Sequence, residues 1–177
     1  MSEDRALASV AASGLEHRVI RHPPVRSLAE AALARGVVPA DVVKTIVVRR
    51  GEGDFLFVLV PGGRTISWPK LRTLLGVNRL SLPDAQTALA VTGYARGTIT
   101  PFGSTTAWPV VADERVRGRQ VTLGGGAHGV AVALDADAAL AALGAQVADV
   151  TEAEPAQRPQ PHPPGEPVTQ GTGGLVP

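Results

Sequence analysis

Three stretches of this 177-residue chain carry residue types that could do chemistry. The first is Lys44-Thr45, set in Val42-Val43-Lys44-Thr45-Ile46-Val47-Val48. Strand side chains alternate faces, so Val42, Lys44, Ile46 and Val48 are expected on one face. An ammonium on an apolar face is costly unless it is paired, solvated in a cavity or neutralised by a lowered pKa. Such a lysine can bind phosphate or polarise an oxygen as a compact charge. It can equally snorkel to water along its own stem, and the residue alone leaves both uses open.

The second stretch runs Gly93-Tyr94-Ala95-Arg96-Gly97-Thr98-Ile99-Thr100-Pro101-Phe102-Gly103. Gly93 and Gly97 are four apart, and Pro101 and Gly103 follow. Backbone without Cβ atoms lets a ligand approach closely, and successive amides can point at an oxyanion. The third is Gly124-Gly125-Gly126-Ala127-His128-Gly129, between two strand candidates. Gly125 and Gly126 suit close contact with a ligand or another backbone segment. His128 could hold a substrate or relay a proton, or simply face solvent.

Other chemistries find no support. No Gly-x-Ser-x-Gly elbow or His-Glu-x-x-His pair occurs. Neither glycine stretch is a Walker A motif, and β-favouring Val130 and Val132 follow the second one instead of a helix. With no cysteine and four scattered histidines, no metal-ligand spacing emerges, and neither a metal nor a cofactor is expected. Asp113-Glu114 would point to opposite faces of a strand, which argues against a joint acid–base role. The lack of cysteine fits a cytoplasmic setting. The acidic N-terminus is unlike a signal peptide. No apolar run approaches the ~20 residues that cross a bilayer.

The elements that must position these residues read as follows. Helices are expected over 3–13, from a Ser27–Glu30 capping box to Arg35, from Ser67 to Leu75, over 83–90, and from Asp135 to Leu143. Strands are expected at 16–21, 43–50, 55–60, 109–112, 119–123, 130–134 and 146–150, with 43–60 forming a hairpin. Strands come in runs with helices irregularly between them. That predicts an α/β (α+β) domain with a curled, barrel-like mixed sheet over 1–151, and excludes a doubly wound dinucleotide fold. From Glu152 onward Pro, Gly, Gln and Glu dominate, so 152–177 is expected to be a disordered tail. Charge is uneven: residues 42–119 hold eleven Lys/Arg against five Asp/Glu, a net of +6. A positive central segment suits a phosphate-bearing ligand.

Taken in order, these elements resemble the YbaK/ProX-type aminoacyl-tRNA deacylases, relatives of the editing domain of bacterial prolyl-tRNA synthetases. The resemblance rests on His22-Pro23, Val43-Lys44-Thr45, Thr92-Gly93-Tyr94 opening the glycine–proline loop, Pro109 to Asp113, and Gly125-Gly126 through Gly129 with the strand after it. It covers roughly 4–151. It implies trans hydrolysis of a mischarged aminoacyl-tRNA, with tRNA-Pro carrying a small wrong amino acid as the substrate. Lys44 would engage the tRNA 3′-terminal adenosine, and Gly93, Gly97, Pro101 and Gly103 would shape the pocket. Thr45, Gly125, Gly126 and His128 would contact substrate, and prolyl-tRNA synthetase would be a partner. A water or the substrate's own hydroxyl or thiol would attack. Cysteine-clearing relatives tend to carry Tyr where Ile20 stands and an acid where Ala131 stands. Thr45 matches that branch. The rival reading is a non-catalytic module on the same fold, binding an aminoacyl-adenosine, a nucleotide or a protein.

Overall fold

The computed structural model describes residues 1–155. Its architecture follows from Phe55-Leu56-Phe57-Val58-Leu59-Val60, an uninterrupted apolar run in β3 (Asp54–Pro61). A strand covered on both faces needs apolar residues at every position. Phe55, Phe57 and Leu59 enter one core with Val43, Val47, Leu123, Val132 and Leu140. Leu56, Val58 and Val60 enter a second with Val48, Ile66, Leu71, Val111 and Val150. Each such side chain, fully buried, stabilises by about 1.5–3 kcal/mol. Trp108 meets Phe55 edge-on with ring centroids 5.3 Å apart.

Three ladders surround this run. β2 (Val43–Gly51) pairs antiparallel with β3. β5 (Val110–Asp113) lies parallel to β3, and β8 (Gln146–Ala148) parallel to β5. β1 (His17–Arg21), β7 (Val130–Asp135) and β6 (Gln120–Gly124) form a second, antiparallel ladder. β4 (Arg64–Ile66) and β9 (Thr151–Ala153) form the third. The mixed α/β class matches the expectation, but the sheets do not close into a barrel. A single parallel bridge between Val42 and Thr122 is what links the start of β2 to β6.

The helices are α1 (Ser2–Ala12), α2 (Leu28–Arg35), α3 (Trp68–Leu75), α4 (Ala85–Thr92) and α5 (Ala136–Leu143). Ser27 Oγ accepts from the Glu30 amide at 3.1 Å, as a capping box requires. Glu30 departs from the box by accepting from the Arg26 amide instead of the Ser27 amide. The helix expected at 83–90 starts two residues later, because Asp84 takes the cap by accepting from the Thr87 amide at 2.7 Å.

The expected last strand at 146–150 stops at Ala148 as β8, and a separate short strand, β9, follows at Thr151–Ala153. The boundary expected at 152 falls inside β9, and the Glu154 amide goes on to bond the Gly63 carbonyl at 3.2 Å. A three-residue charged strand has no periodicity to betray it. The remainder of the expected tail, 156–177, lies outside the described residues.

Candidate active site

The first residues of β2 form one wall of a cavity of about 660 Å³. That volume suits a nucleoside-sized ligand. Lys44, Thr45, Gly97 and Gly124 line it, joined by Arg35 from the end of α2, Asp84 from the cap of α4, and Arg96. Lys44 and both glycine stretches therefore meet at one cavity, although only Gly97 of the candidate glycines reaches it.

The lysine is not stranded on an apolar face. Val42 packs with Ala31 and Ala32, and Val48 enters the second core. Between them Lys44 stands at the rim, its side chain 44% exposed, with Nζ 3.4 Å from Glu154 Oε1. A single exposed contact of that kind is worth about 0–1 kcal/mol, so an anionic ligand can displace the carboxylate. Thr45 Oγ1 is sealed from solvent and has no hydrogen-bond partner among the described residues. An orphan hydroxyl of this kind costs about 1–3 kcal/mol, and a ligand atom bonding to it would remove that cost. No base among the described residues reaches it, so it is not set up for nucleophilic attack.

The other candidates are held by the protein itself. Arg5 of α1 donates from Nε to the Gly103 carbonyl at 2.6 Å and from Nη2 to the Gly93 carbonyl at 2.8 Å. Its guanidinium also lies 4.7 Å from the centre of the Tyr94 ring. The buried Tyr94 hydroxyl donates to the Phe102 carbonyl at 2.6 Å. Both ends of the 93–103 loop are thus fastened to α1. Pro101 and Gly103 line a different cavity, with Ser104 and Trp108.

Gly125 and Gly126 are needed for chain packing. A Cβ on Gly125 would fall 2.6 Å from Val130 Cγ1, and one on Gly126 would fall 2.7 Å from the Ser2 carbonyl oxygen. His128 is exposed and sits behind Gly97, its Cε1 3.4 Å from where a Cβ there would lie. Asp113 is buried and accepts from the Arg115 side chain and the Val150 amide, so it braces the fold.

Residue-type reasoning about strands and glycines overlooked Arg35, Asp84 and Arg96. Arg35 and Asp84 looked like ordinary helix-end residues. Arg96 lies within the glycine stretch and is the one charged residue there. Asp84 is held below the usual carboxylate range by the Thr87 amide, so it stays ionised.

The model of the aminoacyl-tRNA editing domain matches residues 22–141. The chain belongs to the aminoacyl-tRNA editing domain family. The match takes in every residue named as lining the cavity. A proline--tRNA ligase of Trichlorobacter lovleyi is 31% identical over 97 residues, which is 55% of this chain and 17% of that enzyme. One of Desulforamulus reducens is 33% identical over 89 residues, 50% of this chain and 16% of that enzyme. This editing-domain chain thus corresponds to a minor part of those ligases.

A crystal structure of a candidate trans-editing enzyme for prolyl tRNA synthetase superposes with a TM-score of 0.79 and 30% identity, covering 85% of this chain and 97% of that one. Ile20 and Ala131, two positions noted in the sequence, are directly paired across β1 and β7.

Proposed function

We propose that this editing domain deacylates mischarged aminoacyl-tRNA in trans, with tRNA-Pro carrying a small wrong amino acid as its substrate class. The observation that carries the reading is the cavity itself, where Lys44, Arg35 and Arg96 meet one carboxylate and an unpartnered hydroxyl. An aminoacyl-tRNA end has matching chemistry: phosphodiesters, ribose hydroxyls, an ester carbonyl and an α-ammonium. Asp84 suits the ammonium, whose ordinary pKa lies near ~7.7–8.0.

In the reaction a water adds to the ester carbonyl carbon, the bond to the ribose oxygen breaks, and that oxygen leaves with a proton. Lys44 holds the substrate end and its ammonium offsets charge growing on oxygen. It is not the nucleophile. Prolyl-tRNA synthetase is the partner that would select the tRNA, and the cytoplasm is where both would work.

The test is hydrolysis of tRNA charged with Cys, Ala, Ser or Thr. At least one should be cleared by the wild type, with the activity lost in Lys44→Ala while the fold is retained. Wild-type inactivity on all four would sink the reading.

A further inference from the structure

Arg35 is the one arginine of this cavity whose side chain is anchored inside the fold, and its anchors leave its charge unanswered. It ends α2, whose carbonyls close onto Gly36 in the left-handed conformation. From there the half-buried guanidinium reaches across to β6. Nη1 donates to Thr122 Oγ1 at 3.1 Å, and Nε points at His22 Nε2 at 3.5 Å.

Both acceptors are neutral. His22 Nδ1 sits 2.8 Å from the Pro23 carbonyl, which can only accept, so Nδ1 carries the proton and Nε2 offers its lone pair. Elsewhere the arginines Arg21, Arg50, Arg115 and Arg119 each sit against a carboxylate. Arg35 has no such partner among the described residues. Burial lowers its pKa from the usual arginine value, the mark of a cation stripped of water without compensation. A guanidinium presents five N–H donors in a planar fork, and here the Nη2 pair has no acceptor among the described residues.

Leaving a desolvated charge unpaired is costly, and an oxyanion entering from the cavity would remove that cost. The fork fits phosphate oxygens in a bidentate manner. An aminoacyl ester has no carboxylate, so the anions it brings are its phosphodiesters. We infer that Arg35 is a substrate-positioning residue that seats the phosphate of the terminal nucleotide. This rests on the editing reading above, with His22 and Thr122 holding the guanidinium in place.

The test is equilibrium binding of 5′-AMP and of adenosine, which differ only in the phosphate. Wild type should bind 5′-AMP about tenfold more tightly, in line with a charge-assisted hydrogen-bond pair. Arg35→Gln should bring 5′-AMP down to the adenosine level and leave adenosine affinity unchanged, which also reports an intact pocket. Arg35→Lys should keep part of the preference. With charged tRNA, Arg35→Gln should raise KM while kcat stays near wild type. Thr122→Asp supplies the missing carboxylate without touching Arg35 and should also erase the preference.

A 5′-AMP preference that survives Arg35→Gln, or equal wild-type binding of the two probes, overturns the inference and leaves deacylation standing. An Arg35-dependent preference in a chain that hydrolyses no charged tRNA overturns deacylation and leaves the anion seat.

Discussion

Two cavities of nearly equal size, about 650 and 660 Å³, lie toward opposite ends of β2. Each has an orphan hydroxyl in its wall, Ser104 in one and Thr45 in the other. They differ in how their charges are answered. In the far cavity Arg50 is held by both carboxylate oxygens of Asp54, at 2.8 and 3.1 Å. In the near one Lys44 has a single 3.4 Å contact, and Arg35 and Arg96 have no carboxylate among the described residues. Volume and orphan hydroxyls therefore do not mark a site here. Cations without committed partners set the near cavity apart, because they gain most from a ligand anion.

The largest effect should come from exchanging these two roles. Lys44→Ala should lower kcat/KM for deacylation by about 100-fold or more, the scale of losing one oxyanion-stabilising group. Arg50→Ala should leave it unchanged within error. Steady-state hydrolysis of one charged tRNA by both variants decides the matter, and equal losses would erase the distinction between the cavities.

The next comparison lies within the glycine–proline loop. Gly103 has φ +72° and a Cβ there would run into the Arg5 carbonyl. Gly103→Ala should therefore destabilise by about 2–4 kcal/mol through left-handed strain plus overpacking. The loss would be read as a lowered midpoint in urea. Gly97 has φ +86° and only His128 nearby. Gly97→Ala should cost about 1 kcal/mol of strain and act mainly on KM, since that glycine faces the cavity.

This split shows how far the sequence was legible. Glycine spacing marks a constrained loop, and the structure sets Lys44 and Thr45 in the wall of a cavity. Glycine cannot reveal what approaches it, however. At Gly93, Gly103 and Gly126 the neighbour is α1, 88 or more residues away in the chain, with Arg5 clamping the first two. Nothing local to the loop carries that information. Arg35 stayed hidden for the same reason. Its helix is plain in the Ser27 cap and Gly36 stop, but its burial depends on β6. Uninterrupted apolar runs such as β3 announce themselves, whereas side-chain placement across unrelated segments does not.

Asp84→Asn should have a smaller effect, because asparagine caps helices about as well as aspartate. Stability should stay within about 0.5 kcal/mol. If the carboxylate reads the α-ammonium, wild type should prefer a free aminoacyl ester to its N-acetyl form, and the variant should lose about tenfold of that preference. Retained discrimination would remove Asp84 from substrate recognition.

Acid should expose the paired charges first in stability, not in activity. Hydrogen bonds from Lys70 and then Arg115 lower the Asp149 pKa to about 2, below its ordinary value near ~3.9. Its native-state contribution is therefore fully present above about pH 4 and is lost as pH falls through about 2. Asp149→Asn should flatten thermal stability across that window, and an unchanged slope would show that these exposed pairs contribute nothing.

The smallest effect returns to Lys44. Glu154 Oε1 at 3.4 Å is both its partner and its competitor. If substrate displaces that carboxylate, Glu154→Gln removes the competition, and KM should fall about twofold with kcat unchanged, consistent with an exposed pair worth under 1 kcal/mol. A rise in KM would mean that Glu154 orients Lys44 instead. The unanswered charge that distinguishes the near cavity would then belong to Arg35 and Arg96 alone.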